Sequence, residues 1–177
     1  SAVILYLIFW IIGFLYNWKL KEFGLLGNLS VSSSVAITII LGGIVVGDPW
    51  NKAVIIFTLL VFVLNLGEEI AADAMDMEGD KERNIKSIAI LYGRKKALQI
   101  SAFLFIIAII LSLLPYLWGL FGISYLIIVL LMDILILIFT IKLIKSKSKM
   151  RGNMLIRRIY LSGLFGMVLI IIRMIII

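Results

Sequence analysis

The sequence predicts an all-α fold, a polytopic transmembrane helical bundle with six spans in this chain. Three observations predict it. Of 177 residues, 63% are apolar and 15% charged, against about 45–50% and about 25% in ordinary soluble domains. Residues 1–18, 23–47, 53–67, 97–132, 134–141 and 159–172 carry no charged side chain, and a membrane-spanning helix needs about 20 mostly apolar residues. The cations, finally, gather in alternate loops.

The spans are expected near 1–17, 29–47, 52–74, 96–114, 122–144 and 156–176. The first is not a secretory signal, because it has neither a basic leader nor a small-residue cleavage site. It opens inside an apolar run at Ser1 rather than at a methionine, so the chain is expected to be part of a longer protein. In the second span Gly43 and Gly47 form a small-xxx-small pair, read as close helix packing. The uncharged run 97–132 is too long for one span; Pro115, Gly119 and Gly122 divide it into two helices joined by a turn. Asp133 lies alone in the fifth span, where a charge is costly and either functional or held by hydrogen bonds. Arg173, near the end of the sixth, is expected to snorkel to the interface.

Orientation follows from the loops. Lys19 and Lys21 follow the first span, Lys81 to Lys96 the third, and Lys142 to Arg158 the fifth. The alternate loops, 48–52 and 115–121, carry no net charge. The positive-inside rule puts the three basic loops in the cytoplasm. The net charge of +7 is therefore assigned to anionic lipid rather than nucleic acid, the Lys142–Arg158 cluster included. A multi-pass protein of the cell membrane results.

Composition also bounds the chemistry of this chain. Without cysteine there is no thiol nucleophile, disulfide or iron–sulfur cluster. Without histidine, the usual neutral-pH base and the commonest transition-metal ligand are missing. A metal bound here takes oxygen ligands, as magnesium does.

Seven of the ten acidic residues fall between Glu68 and Glu82. Glu69, Asp73, Asp76 and Asp80 are spaced 4, 3 and 4 apart, which puts four carboxylates on one face of a helix expected to run through Met77. Like charges so placed repel unless cations neutralise them. Charge runs are commonly just solvated, but this one is periodic, sits at the mouth of a bundle and holds no lysine before Lys81. Magnesium binds one or two carboxylates together with substrate phosphate oxygens. The ladder therefore reads as a seat for Mg²⁺-diphosphate, with Glu69, Asp73, Asp76 and Asp80 as candidate metal ligands.

Two stretches carry a resemblance. Tyr16 through Asn28, with Lys19-Leu20-Lys21 and Gly27-Asn28, is similar to the tyrosine/lysine motif of the UbiA superfamily of intramembrane prenyltransferases. Glu69 to Ser87 resembles that superfamily's second aspartate-rich motif, whose DxxxD core is matched by Asp76 and Asp80. Within the superfamily, Asp73, Asp76 and Glu78-Gly79-Asp80 look most like the archaeal digeranylgeranylglyceryl phosphate synthases. The match places this chain as one transmembrane domain holding the last six of nine helices. Two departures stand out: the first aspartate-rich motif, NDxxDxxxD, is absent, as expected if three helices precede; and the lysines follow Tyr16 by three and five positions instead of four.

The resemblance implies a Mg²⁺-dependent transfer of a geranylgeranyl group from geranylgeranyl diphosphate to geranylgeranylglyceryl phosphate. Asp76, Asp80, Lys21 and Tyr16 would be catalytic; Lys19, Lys21, Asn28 and Lys86 would bind substrate. The prenyl chain would lie in an apolar tunnel among the helices. Prenylation of a quinone, haem or chlorophyll precursor is the alternative within the superfamily. A divalent-cation transporter or channel is the alternative outside it, disfavoured because the carboxylates gather at one surface. The CDP-alcohol phosphotransferases, which also use membrane DxxxD carboxylates, require a DGxxAR element that the sequence lacks.

Overall fold

The computed structural model describes Ile4, Leu7, Trp10, Ile11 and residues 24–176. Seven helices follow in order over residues 24–176: α1 (Leu25–Val45), α2 (Lys52–Met75), α3 (Met77–Glu82), α4 (Ile88–Tyr92), α5 (Arg94–Leu117), α6 (Ile123–Ile144) and α7 (Lys149–Ile176). Among the described residues there is no strand. Helices α1, α2, α5, α6 and α7 are each long and apolar enough to cross a membrane. They match the second to sixth expected spans; the first falls largely outside the described residues, with its four described positions helical.

Helix α2 is central, packing on α1, α4, α5 and α7, while α5, α6 and α7 pack in succession. The core is sized for close approach. A Cβ on Gly67 would come within 2.8 Å of the Phe105 ring, and Ser101 Oγ donates to the Gly67 carbonyl at 2.7 Å, so α2 and α5 meet backbone to side chain. Gly152 and Gly166 let α7 lie against Met75 and Met132. Around these contacts Ile70, Phe105, Ile136, Leu143, Leu155 and Ile159 are fully enclosed. The outer faces are Ile, Leu and Phe, among them Phe103, Ile127, Leu131 and Phe165. With no water to satisfy backbone groups in lipid, helices that bond internally are the fold such faces permit.

Several expectations are corrected. The last span begins at Lys149, not 156. Pro115 lies inside α5, in its last turn, where the N–H it lacks costs one bond; the helix ends at Leu117 and turns at Gly119 with φ +67°. Gly43 does approach Pro49 and Val54 closely, but Gly47 stands beyond α1 with φ +83° and nothing near it. Arg173 does more than reach outward: its Nε donates to Ser124 Oγ at 2.8 Å. Asp133 is buried and accepts from Ser112 Oγ at 2.8 Å, while Tyr125 Oη donates to the Ser112 carbonyl at 2.7 Å. That is the hydrogen-bonded packing of a span residue.

The basic loops after the third and fifth spans converge at one end. Arg94, opening α5, donates to the carbonyls of Ser146 and Lys147 and to Met75 Sδ, which ends α2. The acidic segment lies at this same end.

Candidate active site

The predicted acidic face is interrupted. Helix α2 stops at Met75, and Asp76 caps it with φ −111° and ψ 27°, its N–H shared between the carbonyls of Ala72 and Asp73. The expected run through Met77 in one helix is thus replaced by a break and the short helix α3. Aspartate is a poor interior helix residue, and a straight row of four carboxylates would repel at every turn. The break bends the row into the wall of a cleft.

That cleft, about 230 Å³, is lined by Gly24, Asn28, Glu69, Ala72, Asp73, Asp76, Asp80, Arg83 and Ile85. All four ladder residues face it. Asn28, from α1, donates its amide to Asp73 Oδ2 at 2.7 Å. Asp80 is 3% exposed; Arg83 Nη2 reaches its Oδ1 at 3.3 Å and Asp76 Oδ2 at 2.8 Å. Lys149 Nζ takes the other Asp76 oxygen at 2.5 Å. The Lys149 ammonium first, with Arg83 beside it, holds the Asp76 carboxyl below the ordinary 3.8, although burial acts in the opposite direction.

Two glycines shape the cleft. A Cβ on Gly79 would come 2.9 Å from Asp76 Oδ2 and 3.2 Å from Arg83 Nη2, so only glycine leaves room for that ion pair. Gly24 has φ +54° and packs on the Lys86 carbonyl, clamping the start of α1 to the acidic segment. Asn84 turns the chain with φ 56°, a conformation asparagine tolerates, and Ser87 caps α4.

The donor set suits a divalent cation. It is all oxygen; among the described residues Asp80 Oδ2 is buried with no hydrogen-bond partner, and four carboxylates outweigh the two cations on them. Among the described residues no three acidic groups converge to enclose an ion by themselves.

A second cavity, about 240 Å³ and almost wholly apolar, lies between α1, α2, α5, α6 and α7. Phe57, Leu60, Val61 and Leu64 give it one stripe of α2, which continues through Asn65 and Glu68 toward Ala72 in the acidic cleft. Among the described residues Asn65 Oδ1 and Glu68 Oε1 are buried there without hydrogen-bond partners.

The sequence-predicted residues divide accordingly. Glu69, Asp73, Asp76, Asp80 and Asn28 come together, with the Asn28 amide bonded to Asp73. Lys86 is exposed and does not line the cleft; only its carbonyl faces Gly24. Tyr16, Lys19 and Lys21 lie outside the described residues. Sequence reasoning missed Lys149 as a site residue and counted Arg83 only among the cytoplasmic cations available to phosphate, not as the partner of Asp76 and Asp80. Lys149 stands 73 positions from Asp76 in a Lys/Ser tract that reads as lipid-facing, so it carries no sequence signal. Arg83 follows Asp76 by seven and Asp80 by three, a spacing that could have found it.

Comparison with known proteins places this arrangement. The UbiA prenyltransferase family profile matches residues 1–165. The chain is 39% identical over 137 residues to a digeranylgeranylglyceryl phosphate synthase of Methanocaldococcus jannaschii, covering 77% of this chain and 47% of that protein. It is 34% identical over 135 residues to the enzyme of that name from Methanosphaera stadtmanae, covering 76% and 49%. A solved structure from work on digeranylgeranylglyceryl phosphate synthase in membranes superposes with a TM-score of 0.83 at 31% identity, covering 94% of this chain and 59% of that one. The chain spans about half the length of the curated relatives it matches. With a profile matched over nearly its whole length and a helical bundle of the same shape, this multi-pass membrane chain belongs to the UbiA prenyltransferase family.

Proposed function

We propose that the protein containing this chain transfers a geranylgeranyl group from geranylgeranyl diphosphate to geranylgeranylglyceryl phosphate, forming the second ether bond of archaeal membrane lipids. The observation that carries this reading is the position of the acidic cleft. Asp73, Asp76 and Asp80 gather at one end of α2, and the same helix lines an apolar cavity. A diphosphate head and an isoprenoid tail need that pair of environments side by side. The archaeal relatives are named for the product, digeranylgeranylglyceryl phosphate, which these two substrates would form.

In this reading Asp76 and Asp80, with Asp73 and Glu69 beside them, hold Mg²⁺, which when bound neutralises charge on the departing diphosphate. Asn28 fixes Asp73. Arg83, with Lys19 and Lys21, binds phosphate, and Tyr16 takes part in catalysis. The C–O bond to diphosphate breaks, an acceptor hydroxyl bonds to the allylic carbon, and its proton passes to solvent or diphosphate. Leaving-group departure needs electrophilic help more than a tuned base, which a histidine-free chain provides. The apolar walls keep water from the cation. One membrane-spanning domain, 1–177, carries these parts, and the cleft faces the cytoplasm of the cell because the basic loops share its end.

The full-length enzyme with labelled geranylgeranyl diphosphate and Mg²⁺ should prenylate geranylgeranylglyceryl phosphate and leave 4-hydroxybenzoate untouched. Preference for the aromatic acid would keep prenyl transfer and overturn the acceptor.

A further inference from the structure

Both carboxylate oxygens of Asp76 are held by cations of the chain itself. Oδ2 is bonded by Arg83, seven residues on; Oδ1 is bonded by Lys149, the first residue of α7. Arg83 also contacts Asp80, so its guanidinium is anchored twice. Among the described residues Lys149 forms an ion pair with Asp76 alone, and its side chain is 56% exposed beside the cleft. An ammonium on a four-carbon stem is a mobile point charge, whereas a planar guanidinium held at two carboxylates is not. A divalent ion bound through Asp76 brings two positive charges beside the cations on its oxygens and repels both, and of the two Lys149 is the less anchored. A released Lys149 stays tethered at the cleft mouth, where a diphosphate would present its outer oxygens.

Resting on the reading above, we propose that Lys149 is a phosphate-binding residue that exchanges partners, moving from Asp76 Oδ1 to an oxygen of the bound diphosphate when a divalent ion occupies that carboxylate. No covalent bond changes; one ion pair is traded for another. The exchange gives metal and diphosphate a shared reason to bind together. Lys149 opposes the metal alone and favours metal with diphosphate. It also ties the last span to the site, since Lys149 begins α7 and Gly152, one turn on, packs on Met75 at the end of α2.

The test is direct binding by the full-length protein in lipid nanodiscs, with Mn²⁺ followed by electron paramagnetic resonance and inorganic pyrophosphate by calorimetry at saturating Mg²⁺. K149M and K149Q remove the charge, K149R keeps it, and K147M alters a neighbouring lysine whose carbonyl alone is engaged. K149M and K149Q should bind Mn²⁺ roughly two- to fivefold more tightly, the scale of an exposed ion pair. They should bind pyrophosphate about tenfold more weakly, the scale of one charge-assisted bond. K149R and K147M should stay near wild type. Unchanged binding in both neutral variants, or weaker binding of both ligands, overturns the exchange. D76N separates the two levels: if it leaves Mn²⁺ binding intact, the metal site itself is misassigned, whereas loss in D76N with no effect in K149M rejects only the role of Lys149.

Discussion

The Asn28 amide donates to Asp73 Oδ2 at 2.7 Å, joining α1 to α2 across 45 positions of sequence. Asn28 is 5% exposed, so the bond is made where water does not easily replace it. It holds one carboxyl of the cleft in a single orientation, while Arg83 and Lys149 hold the next. Removing one partner of a buried hydrogen bond costs about 1–3 kcal/mol. N28A is therefore expected to lower the unfolding midpoint in mixed detergent micelles and to reduce prenyl transfer by more than tenfold. Turnover and midpoint both equal to wild type would show that Asp73 needs no such support.

Gly67 and Gly42 should respond in opposite directions to the same change. A Cβ at Gly67 meets the Phe105 ring at 2.8 Å and Leu104 at 3.3 Å; at Gly42 it meets nothing within 4 Å. Overpacking of this kind costs about 1–3 kcal/mol, whereas alanine for glycine on an open helix face gains helix propensity. G67A should lose stability in a reversible unfolding titration, and G42A should hold or gain it. A tolerated G67A would mean that α2 and α5 can separate without penalty.

The Asp133–Ser112–Tyr125 group is expected to stabilise the bundle rather than take part in transfer. Among the described residues Ser112 alone hydrogen-bonds the Asp133 carboxyl, whose Oδ1 is buried and unpaired. S112A should therefore be more destabilising in the wild-type background than beside D133L, with a coupling of about 0.5–3 kcal/mol in a double-mutant cycle. Additive effects would deny the pair any energetic link, and loss of transfer by a well-folded D133N would give Asp133 a direct role.

Five of the spans, and the end at which the carboxylates gather, were legible because each is written in a local pattern: uncharged runs of span length, alternating basic loops, and acidic residues at 4, 3 and 4. What was not legible depends on distance or on backbone detail. Lys149 meets Asp76 only because α7 starts beside the end of α2, which no spacing in sequence records. The break at Asp76 arises from four carboxylates competing with helix continuity, a balance that periodicity alone reads as an unbroken face. Gly47 looked like the partner of Gly43 because both fit a helical spacing, yet the helix ends between them.

The most direct test of the central claim, that the cleft at the end of α2 seats the diphosphate, is diphosphate release by the full-length enzyme in which Asp76 or Asp80 is replaced by alanine. D48N, in the loop at the opposite end of α2, serves as the control. Removing a group that stabilises a departing anion costs on the order of 10²–10³ in rate. D76A and D80A should each lose at least that much while eluting as folded protein, and D48N should match wild type. Wild-type release by both alanine variants would contradict the account.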